Sequence, residues 1–208
     1  MEHTPGWYDR HVLPYLLDFA CGLTPIARQR ALVVPQARGR VLEVGIGTGL
    51  NLAFYDRTKI GHLVGVDPAA QMHALAQRRS ARAGLPVELV TLSAERLPLE
   101  SGSFDCVVCT YTLCSIPDPL AALREMRRVL KSGGKLLYAE HGLAPDAAVA
   151  RHQARIEPLW SKMAGGCHLT RKVPALLQEA GFQVQGDAAY IAWPRSLSYN
   201  YWGEATAP

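Results

Sequence analysis

The sequence predicts an α/β fold, a mostly parallel sheet with helices on both faces, and three observations predict it. Short apolar runs that read as buried strands alternate with amphipathic helical stretches from Gly39 to Glu140, the succession that builds a parallel sheet. The first run, Val41, Leu42 and Val44, passes directly into glycines at 45, 47 and 49. Bare backbone there permits a sharp turn and a close ligand approach, with the N–H groups of the next helix free to bind it. The chain has 208 residues, enough for one full core between two helical layers.

Composition narrows the function classes. Hydrophobic residues make up 49% and charged residues 19%, ordinary values for a globular protein. No apolar run approaches the ~20 residues that span a bilayer. The opening Met-Glu-His-Thr-Pro-Gly-Trp lacks the basic start and apolar middle of a secretory leader, so the expected compartment is cytoplasmic. Five scattered cysteines, an odd number, fit reduced thiols. Cys106 and Cys109 have CxxC spacing but fall on a strand, where residues three apart face opposite sides, and there is no second CxxC. No metal site is expected. The net charge is +4, with basic residues concentrated at 78–82 and 124–131 on predicted helices. Without interleaved aromatics these read as solvated faces, so no nucleic-acid partner is expected. The basic surplus also suits peripheral contact with an anionic membrane surface.

The glycine spacing separates two kinds of nucleotide turn. A dinucleotide fingerprint needs glycines at the first, third and sixth positions, and the sixth here is Leu50. What stands instead is Glu-x-Gly-x-Gly-x-Gly, from Glu43 to Gly49. This resembles the first motif of the class I S-adenosylmethionine-dependent methyltransferases. The resemblance implies S-adenosyl-L-methionine as cofactor and S-adenosyl-L-homocysteine as product, with Glu43, Gly45, Gly47 and Gly49 at the cofactor. It also implies a Rossmann-like methyltransferase fold, a mostly parallel seven-stranded sheet ending in an antiparallel hairpin.

The remaining elements follow in order. Before the first strand, Trp7, Tyr8, Val12, Leu13, Tyr15, Leu16, Leu17 and Phe19 form an apolar–aromatic stretch ended by Gly22 and Pro25. It reads as a lid packed on the domain or as a membrane-interface segment; the resemblance implies a lid. Leu50 to Tyr55 begins the first helix, and His62 to Val66 is a second strand ending in Asp67. Asp67 stands where such a unit places a carboxylate for ribose hydroxyls. With Pro68 behind it and a helix at 69–83 stopped by Gly84, it also reads as a helix N-cap, and one residue can serve both roles.

A third strand spans Pro86–Thr91. The stretch from Ser93 to Leu99 is similar to the segment that passes the adenine ring in the resembled family, with Ala94 and Glu95 at the matching positions and Ser93 where the family carries Asp. Glu95 also reads as an ordinary surface carboxylate. Beyond the strand Cys106–Thr110 lies the carboxyl edge where ligands of open α/β sheets bind. Thr110 and Leu113 are expected there as the floor of the methionine moiety, and Cys114 as a neutral structural thiol. Asp118–Leu130 carries an apolar helical stripe, Ser132-Gly133-Gly134 ends it, and Lys135–Glu140 is the fifth strand. The run Leu-Arg-Glu-Met-Arg-Arg-Val-Leu-Lys-Ser-Gly-Gly resembles the corresponding segment of the type 11 methyltransferases. The tail predicts helices at 146–163 and at 171–180, the latter capped by Thr170, then strands at 183–186 and 199–203. The expected organisation is one methyltransferase domain over 1–208, with a lid or cap at 1–36, a cofactor core at 37–141 and an acceptor side at 142–208.

Methyl transfer needs an acceptor electron pair aligned with the sulfonium methyl, and a base only where the acceptor must lose a proton. His141, at the end of the fifth strand, and His168, beside Cys167 and Arg171, are the candidate catalytic residues; each also reads as a surface or hydrogen-bonded histidine. Three strings, Val-Val-Cys-Thr-Tyr-Thr-Leu-Cys-Ser, Ala-Glu-His and Gly-Cys-His-Leu-Thr-Arg, are similar to the small alkyl-thiol methyltransferase-like subgroup. That resemblance implies a small-molecule acceptor, a thiol or similar soft nucleophile. Members of the subgroup carry an N-terminal membrane anchor, and the opening residues here are too short and too polar for one. The broader group also contains phosphatidylethanolamine N-methyltransferases and quinone-precursor methyltransferases. A non-catalytic cofactor-binding protein is the alternative of a different class.

Overall fold

The computed structural model describes residues 6–8 and 12–207; Met1–Pro5, part of the opening read as lacking a leader, lie outside them. Helices α1 (Leu13–Cys21) and α2 (Thr24–Val33) precede the sheet. Then come β1 (Gly39–Val44), β2 (Ile60–Val66), α3 (His73–Ala83), β3 (Glu88–Val90), β4 (Phe104–Thr110), α4 (Pro119–Val129) and β5 (Leu130–His141). The chain ends with α5 (Ala147–Met163), α6 (Val173–Glu179), β6 (Gln183–Tyr190), the short α7 (Arg195–Ser198) and β7 (Tyr199–Thr206).

The seven strands lie in the order β3-β2-β1-β4-β5-β7-β6. The first five are mutually parallel, and β7 runs antiparallel to both β5 and β6. The order reverses between β1 and β4, the point where open α/β sheets leave a crevice at their carboxyl edge. Central strands are buried on both faces, as covered parallel strands must be. On one face Leu42, Val44, Phe104, Val107 and Cys109 pack with Leu123 and Met126 of α4 and Leu177 of α6. On the other Val41, Cys106 and Val108 pack with Val33, Val34, Leu52 and Tyr55. Cys106 and Cys109 thus belong to opposite sides of the sheet. Among the described residues no helix is long and apolar enough to cross a membrane.

Several local expectations are corrected. The helix predicted from Leu50 is only a 3₁₀ turn, Leu50–Ala53. Asn51 and Tyr55 direct their side chains inward to the Glu43 carboxylate, and side-chain hydrogen bonding of this kind competes with helix propagation. The 69–83 helix opens as a 3₁₀ turn, Ala70–Met72, before α3, and Gly84 ends it in the left-handed conformation as expected. The third strand contracts to Glu88–Val90. Asp118 caps α4, accepting the Ala121 N–H at 3.0 Å. Ser132-Gly133-Gly134 is an irregularity inside β5, where pairing slips between Phe104–Leu130 and Cys106–Lys135. Thr170 does not cap α6: Lys172 stands at that position, with Pro174 next to the first helical residue, and the Thr170 N–H donates to Glu157 Oε2 at 2.7 Å. The closing strands are longer than predicted, pairing over the whole of 183–190 and 199–206.

Two glycines test the backbone argument. Gly45 (φ +71°) and Gly133 (φ +73°) share a left-handed conformation, but a Cβ on Gly45 would overlap the Thr112 side chain, whereas at Gly133 it would meet nothing within 4 Å. Gly133→Ala is expected to lose about 1–2 kcal/mol, the cost of an L-residue in that conformation. Gly45→Ala should lose a further ~1–3 kcal/mol from overpacking, read by denaturant unfolding. Equal losses would contradict the role of the Thr112 contact.

Candidate active site

At the end of β1 the glycine turn is held against β2, with the Gly45 N–H donating to Val66 O at 2.8 Å. Asp67 sits beside it, buried at the end of β2. Its Oδ2 accepts the Gly47 N–H at 2.9 Å and its Oδ1 the Ala69 N–H at 2.8 Å. Burial pushes this carboxyl up, while the two backbone donors hold it down. A carboxylate has roughly four acceptor directions, so each oxygen retains one for a ligand. At Gly47 (φ +51°) a Cβ would enter the space 3.6 Å from Met72 Sδ and 3.9 Å from Asp67 Oδ2. The bare backbone and the acid therefore form one open cradle, and the free acceptor directions on Asp67 suit the donating hydroxyls of the S-adenosylmethionine ribose. Pro68 follows, exposed.

Glu43 and Thr110 do not turn their side chains into that cradle; they brace it from below. Glu43, 2% exposed, accepts Asn51 Nδ2 at 3.0 Å and the Tyr55 hydroxyl at 2.7 Å. Arg30, from α2, donates to Asn51 Oδ1 at 2.6 Å and to Thr110 Oγ1 at 2.5 Å. Burial pushes the Glu43 carboxyl up to about 7. The sequence reading missed Arg30 and Asn51; the available signal was a polar residue on an otherwise buried helical face. Asp18 of α1 accepts the Thr48 hydroxyl at 2.5 Å and takes both Arg79 nitrogens at 2.6 and 3.0 Å, fastening the N-terminal segment to the glycine turn. A cavity of about 620 Å³ lies behind the turn, lined by Arg30, Phe54, Arg57, Arg79 and Arg82, and contains none of Gly45, Gly47 or Asp67. Glu95 bridges two loops, accepting the Ser93 hydroxyl at 2.8 Å and the Asp118 N–H at 2.7 Å, while Ala94 packs in the core.

The other end of the crevice is arranged by Glu140, whose exposure is 0%. Its Oε1 accepts the N–H groups of Thr112 (2.8 Å) and Leu113 (2.9 Å), which fixes the loop after β4. Burial pushes this carboxyl up to about 8. Thr112 in turn donates its hydroxyl to Gly45 O at 3.3 Å, linking this loop to the glycine turn. The loop delivers Cys114 to His141 and Cys167, whose ligand-capable atoms all lie within 4.8 Å of one another. His141 Nε2 is 3.0 Å from Cys167 Sγ, and Trp160 Nε1 donates to the same sulfur at 3.1 Å. The Cys167 hydrogen bond and the His141 charge draw Cys114 well below the ordinary thiol range, and Cys114 with burial pushes Cys167 up. Burial opposes the His141 cation, but the Cys114 charge outweighs it and raises His141. Among the described residues, Glu140 Oε2, His141 Nδ1 and Arg171 Nη1 are buried without partners.

His168 is placed differently. Its side chain is 42% exposed and pairs through Nδ1 with Glu157 at 3.1 Å, while its backbone N–H donates to Cys114 O at 2.9 Å. The structure thus joins His141 to the thiols and sets the His168 ring against Glu157. Sequence reasoning missed the convergence of Cys114 with Cys167, which have no local spacing to reveal it. A Cβ on Gly165 would stand 3.4 Å from Leu13 and 3.6 Å from Leu17, so α1 reaches the turn that carries Cys167 as well as the glycine turn.

Residues 42–138 match the family model described as a methyltransferase domain. The chain is 36% identical over 146 residues to the thiol S-methyltransferase TMT1B of Rattus norvegicus, covering 68% of this chain and 59% of that protein. It is also 36% identical over 149 residues to the phosphatidylethanolamine N-methyltransferase of Cereibacter sphaeroides, covering 68% of this chain and 72% of the relative. The chain thus spans about three fifths of the length of the first of these relatives. Among solved structures, a Thermotoga maritima methyltransferase described as a possible histamine N-methyltransferase superposes with a TM-score of 0.67 at 23% identity, covering 97% of this chain and 98% of that one.

The buried Glu43 predicts a pH dependence. Its folded-state pKa of about 7 lies above the ordinary 4.5, so the unfolded chain releases this proton first as pH rises. Stability should fall between pH 4.5 and 7 on this account, by about 1.4 kcal/mol per unit of elevation. Glu43→Gln keeps an acceptor and a donor at the site and is expected to flatten that limb. Urea unfolding at pH 5 and pH 8 reads the difference; an unchanged slope would remove Glu43 as its source.

Proposed function

The chain belongs to the class I S-adenosylmethionine-dependent methyltransferases of the type 11 group, and on that premise we propose that it methylates a small thiol or a similar soft nucleophile. Bound S-adenosylmethionine supplies an electrophilic methyl on a sulfonium, which leaves position and electrostatics to the protein. Asp67 receives the ribose hydroxyls on its two remaining acceptor directions, and Gly45, Gly47 and Gly49 bring backbone against the ligand. Pro68, Ala94 and Glu95 line the adenine side, and Thr110 and Leu113 support the methionine end through the loop that Glu140 holds. The single observation carrying the acceptor class is the thiol–imidazole cluster of Cys114, His141 and Cys167, one loop from the glycine turn through the Thr112–Gly45 hydrogen bond. Buried beneath α1 and the 164–168 turn, these groups would keep water from the sulfonium while meeting a soft acceptor with polarisable partners. His141 belongs to the reacting cluster, and His168, tied to Glu157, orients the turn that carries Cys167. Residues 142–208 supply this acceptor side. The free thiols suit the reducing conditions of the cytoplasm.

One observation favours a second acceptor, the phosphatidylethanolamine headgroup. Tyr15, Leu16 and Phe19 of α1 and the following Leu23 are exposed along one segment that borders the crevice, an arrangement suited to a lipid surface. The named activities of the rat and Cereibacter relatives share methyl transfer and differ in this respect.

S-adenosylhomocysteine release, measured on small alkyl and aryl thiols beside phosphatidylethanolamine vesicles, separates the two. Turnover on thiols without vesicles is expected; turnover confined to vesicles would replace the thiol by the lipid amine. For the cofactor end, Asp67→Ala is expected to weaken S-adenosylmethionine binding at least tenfold by calorimetry, at about 1.4 kcal/mol per tenfold, with the fold retained by circular dichroism. Unchanged affinity would sink the ribose role.

A further inference from the structure

Cys114, His141 and Cys167 come from three separate elements: the loop after β4, the end of β5 and the turn between α5 and α6. Nothing local requires them to meet, yet their ligand-capable atoms lie within 4.8 Å of one another, the two cysteines buried and His141 half-buried. Zinc–sulfur bonds of about 2.3 Å and zinc–nitrogen bonds of about 2.0 Å place tetrahedral ligand atoms roughly 3.5–3.8 Å apart. The 3.0 Å separation of His141 Nε2 and Cys167 Sγ would open by about half an ångström to meet that geometry. Cation loading displaces the protons that Cys167 and His141 carry, releasing them to solvent, and the resulting two thiolates and one neutral imidazole select a thiophilic cation of the zinc type, with a fourth position left for substrate. The surrounding groups permit this. Glu140 Oε1 is occupied by the Thr112 and Leu113 N–H groups, and Arg171 Nη2 is engaged by Ile116 O at 2.6 Å. Trp160 Nε1, already donating to Cys167 Sγ, is the kind of outer hydrogen bond that orients a ligating sulfur. Glu140 Oε2, His141 Nδ1 and Arg171 Nη1, buried and unpartnered, leave polar capacity beside the cluster for a ligand.

We propose that Cys114, His141 and Cys167 form a binding site for a thiophilic divalent cation, zinc by its donor set, whose fourth position receives the acceptor thiol. Cation binding stands on the geometry alone; its use in methyl transfer rests on the thiol reading above. Coordination of R–SH forms a zinc–sulfur bond and releases the thiol proton to water. The sulfur lone pair then forms the new bond to the methyl carbon, and the electron pair of the broken carbon–sulfonium bond remains on S-adenosylhomocysteine. The neutral thioether product is a weak zinc ligand and leaves. His141 in this arrangement acts as a ligand through Nε2, not as a base.

The reduced 208-residue chain would be titrated with zinc, followed by metal analysis after gel filtration, and with cobalt, whose thiolate charge-transfer absorption reports sulfur ligation directly. One cation per chain is expected, lost in the Cys114→Ser/Cys167→Ser double variant and retained in Cys106→Ser, whose thiol lies in the core on the opposite side of the sheet from Cys109. S-adenosylmethionine calorimetry on each variant establishes that the fold survives. Failure to retain a stoichiometric cation, an unchanged content in the double variant, or cobalt binding without thiolate absorption would overturn the site. Chelation should lower thiol turnover at least a hundredfold, with recovery on adding zinc. Stoichiometric zinc without thiol turnover would sustain the cation site and overturn the thiol reading; thiol turnover in a chain that binds no zinc would do the reverse.

Discussion

A carboxylate buried in the middle of an apolar parallel sheet is the constraint from which much of the cofactor end follows. Glu43 lies on β1 between strands that are hydrophobic on both faces, where an unpartnered acid would cost several kcal/mol. The chain meets that demand with Asn51 and Tyr55, whose inward side chains turn the segment after the glycines into a single 3₁₀ turn. Asn51 and Thr110 then engage Arg30, which draws α2 against the sheet and brings Tyr111 under its guanidinium, 5.0 Å from the ring centre. With α2 fixed, α1 lies over the glycine turn and is fastened there by Asp18 to Thr48 and Arg79.

A second buried acid plays the matching part at the opposite end. Glu140 on β5 has no solvent and one oxygen committed to the backbone of Thr112 and Leu113. Two N–H bonds of 2.8 and 2.9 Å to one buried oxygen hold the loop after β4 in one conformation. That loop touches the glycine turn through Thr112 and presents Cys114 to His141 and Cys167. Two carboxylates that make no use of solvent thus set the distance between the cofactor cradle and the sulfur–imidazole cluster. On the proposed function, this distance decides whether acceptor and sulfonium can align.

The N-terminal segment shows how one element serves several demands. Its inner residues, Leu13 and Leu17, lie against the 164–166 turn, while Asp18, next to Leu17, reaches the glycine turn. Its outer residues, Tyr15, Leu16 and Phe19, face away from the crevice. Covering the crevice and contacting a lipid surface are therefore compatible uses of opposite faces of the same helix.

The sequence by itself determined the alternation of strands and helices, the class of sheet, the sharp glycine turn after β1 and the acid at the end of β2. Each depends on short-range periodicity, on the absence of a Cβ, or on spacing within one strand–turn–helix unit, all readable from neighbouring residues. The tertiary structure decided what lay beyond that range: the shortening of the predicted helix after Gly49, the start of α6 after Lys172 with no cap from Thr170, and the convergence of Cys114, His141 and Cys167. The first depends on where Asn51 and Tyr55 find a buried acceptor, the second on Glu157 capturing the Thr170 N–H. The third depends on strand order, which places the ends of β4 and β5 side by side and lets a distant turn fold over them. Local chemistry carries no record of such neighbours, because their proximity arises only once the sheet has assembled.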